Sequence, residues 1–300
     1  MTHAKHQLAV LFASLVGFSA VAVADNDSLT VDCSQGQSVA EGLGKKAADR
    51  PLTVLVRGSC TEHIVITRDD VALVGDGGSI TGSVTVAGAQ RVVLAELSIT
   101  NPAGDGVFVT DNASVTIRQN QINDSSGYGV FVRNASFAHL NDNKLLRNGI
   151  VNNTNIDASG IGVGHNSTVR ALRNEIRDNA NTGVEVFEGS LYRSEMDVIE
   201  QRTSAPGRSA VDVYRRGHVE LRGATVSGNI FVSQQSQFQA RNLPDGPSTL
   251  SNGIINVGGL SFFRLREGVL RSNSTLACGA AFSVCQCDST PPAPCATSVP

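Results

Sequence analysis

Glu185 and Asp212 fall at the same offset in neighbouring copies of a sequence repeat, GVEVFEGSLYRSEMDVI and AVDVYRRGHVELRGATV. If the copies stack as adjacent strands, the two carboxyls stand about 5 Å apart, and their mutual repulsion raises one of the two pKa values. A proton donor beside a carboxylate is the pairing that glycosidic-bond cleavage needs. Elimination is the alternative chemistry. His165, Tyr214 or Arg215 would remove the proton alpha to a uronate carboxylate, and Arg133 or Arg215 would neutralise that carboxylate. The candidate catalytic residues are therefore Glu185, Asp212, His165 and Arg215, and the candidate substrate-binding residues are Arg133, Phe187, Glu188 and Tyr214. Phe187 and Tyr214 sit side by side as a platform on which a sugar ring can stack. The plainer reading makes Glu185 and Asp212 solvated residues of an exposed strand, neutralised by Arg215 and Arg193, and His165 a surface turn residue.

The elements that must hold these residues are visible in the stretch from Gly104 to Asn229. Turns anchored on Val107, Val130, Ile161, Val184 and Val211 carry a second apolar residue two places on, at Val109, Val132, Val163, Val186 and Val213. That is strand alternation. Fifteen places after each anchor comes Ile122, Leu145, Ile176, Ile199 or Val226, so each turn reads as three short strands separated by bends. A period of roughly 23 residues marks a solenoid whose turns bury their apolar faces against one another. Weaker turns on Ile64, Val84, Ile230 and Ile255 bring the count to about nine. Thirteen places after the anchors stand Asn120, Asn143, Asn174 and Asp197, a column suited to hydrogen bonding from turn to turn at a bend. One and three places after the anchors, side chains point outward, which places Glu185 and Asp212 in one column and Arg133, Phe187 and Tyr214 in the next.

This pattern resembles the right-handed parallel β-helix proteins of the pectate-lyase-like superfamily. The resemblance implies an all-β, right-handed, single-stranded parallel β-helix with a short N-terminal capping helix. Its members include pectate lyases, polygalacturonase-like hydrolases, alginate lyases and epimerases, phage tailspikes and adhesins, so the fold alone does not select an activity. Gly164-His165-Asn166 partly echoes the Gly-His-Gly motif of the hydrolase branch, while the Asp-Pro-His-Asp motif of the mannuronan epimerases is absent. No cofactor is expected. A calcium site needs several acids around one cation, and Asp105, Asp111 and Asp124 fall on different bends.

The ends read differently. Residues 1–24 end in an apolar run and Ala22-Val23-Ala24, the pattern of a cleavable export signal. Residues 25–62 form an N-terminal cap: Ser38 to Glu41 fits a capping box, which predicts a short helix near Gln37 to Ala48. The β-helix is expected over 63–273, and 274–300 is a cysteine-rich tail. The six cysteines, Cys33, Cys60, Cys278, Cys285, Cys287 and Cys295, are disulfide candidates in an oxidising compartment, and a Cys33–Cys60 bond would tie the cap to the coil. Three insertions, Arg147 to Ser159, Arg202 to Ser209 and Arg241 to Asn252, are expected as loops on one flank, the first two walling a groove.

A net charge of −3 with no run of basic residues argues against nucleic acid and anionic membrane surfaces as partners. No mature stretch is long and apolar enough to span a bilayer. The chain therefore reads as an exported, periplasmic or extracellular β-helix that binds a polysaccharide or cell-surface glycan through the first strand of each turn. The alternatives are a polysaccharide lyase or glycoside hydrolase in the same groove, and a structural or adhesive protein. With no Trp and three Tyr, the chain has few sugar-stacking platforms.

Overall fold

The computed structural model describes residues 27–45, 50–149, 159–201, 208–244, 246–271, 274–279 and 283–288. The segment read as an export signal lies outside them, as do 150–158 and 202–207, the centres of the two insertions expected to wall a groove. Each turn contributes one strand to each of three parallel sheets. Among the described residues, sheet I holds ten strands from Ile64–Ile66 to Thr275–Cys278, sheet II twelve from Asp27–Asp32 to Val284–Asp288, and sheet III ten from Ser59–Thr61 to Val269–Leu270. The coil is right-handed and runs to about ten turns, one more than the repeats indicate. The extra rung is Thr275–Cys278, which pairs in parallel with Ile254–Val257. The third insertion joins sheet II to sheet III, whereas the first two join sheet III to sheet I. The insertions therefore occupy two positions in the repeat.

Alternation decides the core. Val107, Val109, Val130, Val132, Ile161, Val163, Val184 and Val186 are fully buried, as are the sheet III residues Ile122, Leu145, Ile176 and Ile199. Their partners between point outward.

The bends follow one rule. A residue with left-handed backbone turns the chain, and a small polar residue behind it is buried. Between sheets II and III the turning residues are Gln119, Asp142 and Arg173, all with φ between 52° and 57°, and the buried residues are Asn120, Asn143 and Asn174. Asn143 Oδ1 accepts from Asn120 N at 3.0 Å and Asn120 Nδ2 at 3.1 Å, while Asn143 Nδ2 donates to Ile117 O at 2.8 Å. The column is thus a ladder that satisfies the backbone of each bend. Two further ladders line the other bends, one of mixed residue type and one of serines. Ser125, Asn148 and Asn179 line the bend from sheet III to sheet I. Ser136, Ser167 and Ser190 line the bend from sheet I to sheet II.

Asp197 ends the Asn ladder as a buried acid. Its Oδ1 accepts from Asn174 N at 2.7 Å and its Oδ2 from Tyr192 Oη at 2.6 Å. Burial pushes its pKa to about 6, against the opposing effect of these hydrogen bonds. Because the folded pKa lies above the unfolded value, the proton stabilises the fold at low pH. That contribution is lost as pH rises through about 6. Asp197→Asn removes the titration. Its stability relative to the wild type should therefore be about 2–3 kcal/mol more favourable at pH 8 than at pH 4, measured by urea unfolding at both pH values.

The N-terminal end is closed by α1 (Val39–Gly44), shorter than the helix expected, with Val39 and Leu43 buried on the coil. Ser38 caps it by accepting from Glu41 N at 3.3 Å. The second half of the cap comes from the next turn rather than from Glu41, because Glu62 accepts from Val39 N at 2.8 Å and Ala40 N at 3.1 Å. Glu41 instead lies 3.8 Å from Lys45. Cys33–Cys60 ties this cap to the coil, and Cys278–Cys285 joins the last strands at the other end.

Candidate active site on the first sheet

The outward columns of sheet I hold the predicted site residues in the expected register. Phe131, Gly162, Glu185, Asp212 and Phe231 are successive partners across five strands. Glu185 is nevertheless not a solvated strand residue, since it is only 5% exposed. Its carboxylate is held by hydroxyls: Tyr214 Oη donates to Oε1 at 2.7 Å, Tyr128 Oη to Oε2 at 2.8 Å, and Ser159 Oγ to Oε2 at 3.3 Å. Asp212 on the next strand is mostly withdrawn from water. Burial first, and then the charge of Glu185, pushes its pKa to about 7. The pair thus presents a proton donor beside a fixed carboxylate at neutral pH.

Tyr128 and Ser159 are not apparent from the columns. Tyr128 stands on the bend from sheet III to sheet I and reaches Glu185 across an intervening rung. It can do so because that rung carries Gly162, where an added Cβ would sit 2.5 Å from the Tyr128 ring. Asp105 fixes the bend by accepting from Tyr128 N at 2.8 Å, and burial raises the Asp105 pKa. Gly164 makes the same kind of room for Phe187, whose ring would be 2.5 Å from a Cβ there. The gaps left by two glycines in otherwise filled columns are the sequence signal for both rings.

An aromatic stripe flanks the acids. Phe187 and Tyr214 stack with centroids 5.3 Å apart, and Tyr128 stacks on Phe131 at 4.5 Å. Arg133 lies over Phe108, 4.9 Å from its centroid, so this predicted substrate-binding cation stands at the edge of the stripe. His165, Glu188 and Arg215 form a separate cluster on the bend from sheet I to sheet II. His165 Nδ1 is 2.5 Å from Glu188 Oε2, and Arg215 Nη1 is 3.1 Å from Glu188 Oε1. Glu188 therefore holds His165 and Arg215, and the expected neutralisation of Glu185 and Asp212 by Arg215 gives way to this pairing. Arg193 lies on sheet II and pairs with Glu220 at 2.7 Å. A concavity of about 630 Å³ runs along this bend, lined in part by Glu188, Arg215, Arg216 and Gln234, beside the acid pair rather than over it.

Among the described residues, one group of three candidate metal ligands is close enough to share an ion: Cys33, Cys60 and Glu62. Its two cysteines are joined in a disulfide and Glu62 caps α1, so the group does not fit a metal.

Three parallel sheets wound by short bends, with polar ladders inside and an acid pair on one outer face, define a right-handed parallel β-helix. Residues 78–231, just over half of the chain, match the family described as the right handed beta helix region, and the chain belongs to that family. No curated protein matches it in sequence. Among solved structures it is similar to the alginate lyase from Paenibacillus sp. str. FPU-7, with a TM-score of 0.55 and 14% identity over 85% of this chain and 98% of that one. It is also similar to ORF18 of Geobacillus virus E2, with a TM-score of 0.50 and 12% identity over 83% of this chain and 61% of that one. At these identities the likeness concerns the fold.

Proposed function

We propose that sheet I carries a glycan-cleaving site of the hydrolase type, with Asp212 as the acid and Glu185 as its partner carboxylate. The observation that carries this reading is the burial of Glu185 under two tyrosine hydroxyls beside an acid whose pKa is about 7. Holding a carboxylate out of water next to a second one is costly, and a face that only binds has no use for it.

Neighbouring strands stand about 4.8 Å apart, close to the roughly 5–5.5 Å between the two carboxyls in double-displacement cleavage. Glu185 attacks the anomeric carbon, and the glycosidic C–O bond breaks as Asp212 gives its proton to the departing oxygen. Asp212, now a carboxylate, takes a proton from water. That water attacks the glycosyl ester, releases the sugar and restores Glu185. Phe187 and Tyr214 offer a ring face to the chain.

The alginate lyase similarity supports a polysaccharide as the class of ligand, while the site's charge favours hydrolysis over elimination. The Glu185 carboxylate repels a uronate, and the candidate cation Arg215 is engaged by Glu188. The disulfides Cys33–Cys60 and Cys278–Cys285 support an oxidising, extracytoplasmic location. Among the described residues no helix is long and apolar enough to cross a membrane.

The test is a panel of neutral and acidic polysaccharides incubated with the purified protein, following reducing ends and unsaturated-product absorbance together. Reducing ends from a neutral glycan without absorbance are expected. Absorbance from a uronate polymer would replace hydrolysis with elimination. Binding without either product would leave the aromatic stripe as a non-catalytic glycan-binding face.

A further inference from the structure

The sequence has no run of basic residues, yet the register of sheet II concentrates cations on one outer face. Arg222, Arg241 and Arg266 are successive partners in one column, and Arg170 and Arg193 are neighbours in the column beside it, which continues through Glu220 and Gln239 to Arg264. Like charges directly opposed on neighbouring strands are destabilising. The run of three arginines is tolerated because acids are set among them, Glu195 beside Arg222 in the same column and Glu220 in the next.

Glu220 keeps these cations in place, and Arg222 also donates to Glu195 on the neighbouring strand at 3.2 Å, so the face is partly neutralised while arginine outnumbers acid on it. Glu220 accepts from Arg193 Nε at 2.7 Å, Arg222 Nη2 at 2.9 Å and Arg241 Nη2 at 2.7 Å, and its own side chain is only 12% exposed. Burial alone would raise its pKa, but the hydrogen bonds from Arg222 and Arg193 win and hold it below its ordinary value. The carboxylate thus lies under a layer of guanidinium groups whose outer edges face solvent. Arg170 lies over Phe137, 5.7 Å from its centroid. Part of the face is concave: a depression of about 390 Å³ is lined by His139, Arg170, Arg193, Glu195 and Arg222, among others.

We propose that the outer face of sheet II binds an anionic polysaccharide whose carboxylate or sulfate groups sit against Arg170, Arg193, Arg222, Arg241, Arg264 and Arg266. Guanidinium groups bind such oxyanions through paired N–H donors. Their spacing is set by the strands, about 4.8 Å per rung, so an extended chain with one anion on each sugar can meet several rungs in succession. A nucleic-acid duplex carries about one charge per 1.7 Å of axis. That density exceeds what arginine columns spaced one rung apart can match. The face lies on a different sheet from Glu185 and Asp212, so this binding does not depend on hydrolysis there.

The test titrates the full chain with polygalacturonate, dextran sulfate, unmodified dextran and a DNA duplex, at about 50 and 200 mM salt, where phosphate- or carboxylate-type contacts separate from neutral ones. Polygalacturonate or dextran sulfate should bind and dextran should not, with affinity falling as salt rises. The two polyanions distinguish a carboxylate from a sulfate ligand. Arg170→Gln with Arg266→Gln should weaken binding at least tenfold at an unchanged melting temperature, while Arg57→Gln leaves it unchanged. Equal binding of dextran, unaltered binding by the double variant, or tighter binding of DNA than of both polyanions would overturn the proposal.

Discussion

Asp212→Asn is expected to lower glycan turnover by about a thousandfold while leaving glycan binding within a factor of a few, because it removes the proton donor and keeps the shape. Glu185→Gln should cost at least as much, since it also disturbs the hydroxyls of Tyr128 and Tyr214. The pH profile separates the two roles. Asp212 works as an acid only while protonated, so kcat/KM should fall about tenfold per pH unit above the value near 7 that burial and Glu185 impose. Asp212→Asn should lose that limb. The same substitution should raise the melting temperature at pH 8. A folded pKa above the unfolded one means that the carboxyl destabilises the fold once pH passes through about 7, and the amide carries no such penalty. Loss of activity together with a gain in stability is the outcome expected of a functional acid and not of a structural one. Unchanged turnover in Asp212→Asn would remove it from the chemistry.

Asn143→Ala should be the most damaging single change in the ladder. It leaves the N–H of Asn120 without its acceptor, removes one donor from the carbonyl of Ile117, and opens a cavity beside them. A buried group left without a partner costs about 1–3 kcal/mol and the lost second bond and cavity add to it, so a loss of about 2–4 kcal/mol is expected, a large part of the stability of an ordinary domain. Urea unfolding of the variant measures it. Asn141→Ala, on the outer side of sheet II, should change stability by no more than about half a kcal/mol. Similar effects from both would mean that the column adds nothing as a ladder.

Much of this was legible in the chain because period-two alternation fixes both the core and the outward columns. Val184 and Val186 inside place Glu185 outside, and the next turn sets Asp212 beside it. What alternation cannot reach is the bends. There the backbone swings side chains along the coil axis, and a residue's neighbour depends on a gap elsewhere, as Tyr128 depends on Gly162. His165 and Arg215 stand on such bends, where left-handed backbone turns them toward Glu188 rather than along the column of Glu185. The Asn ladder repeats one residue type and is readable. The ladder of Ser125, Asn148 and Asn179 changes type and hides.

The coil's contacts run almost entirely between adjacent rungs, so its opening should proceed by fraying. Hydrogen exchange should then form a gradient, slowest in the middle and faster toward each end. Glu185 and Asp212 sit on the sixth and seventh of the ten strands of sheet I. Several rungs must peel away on either side before their amides exchange, and Cys33–Cys60 and Cys278–Cys285 stand where peeling would begin. Reducing those bonds should therefore quicken exchange at the ends first and reach the acid pair last.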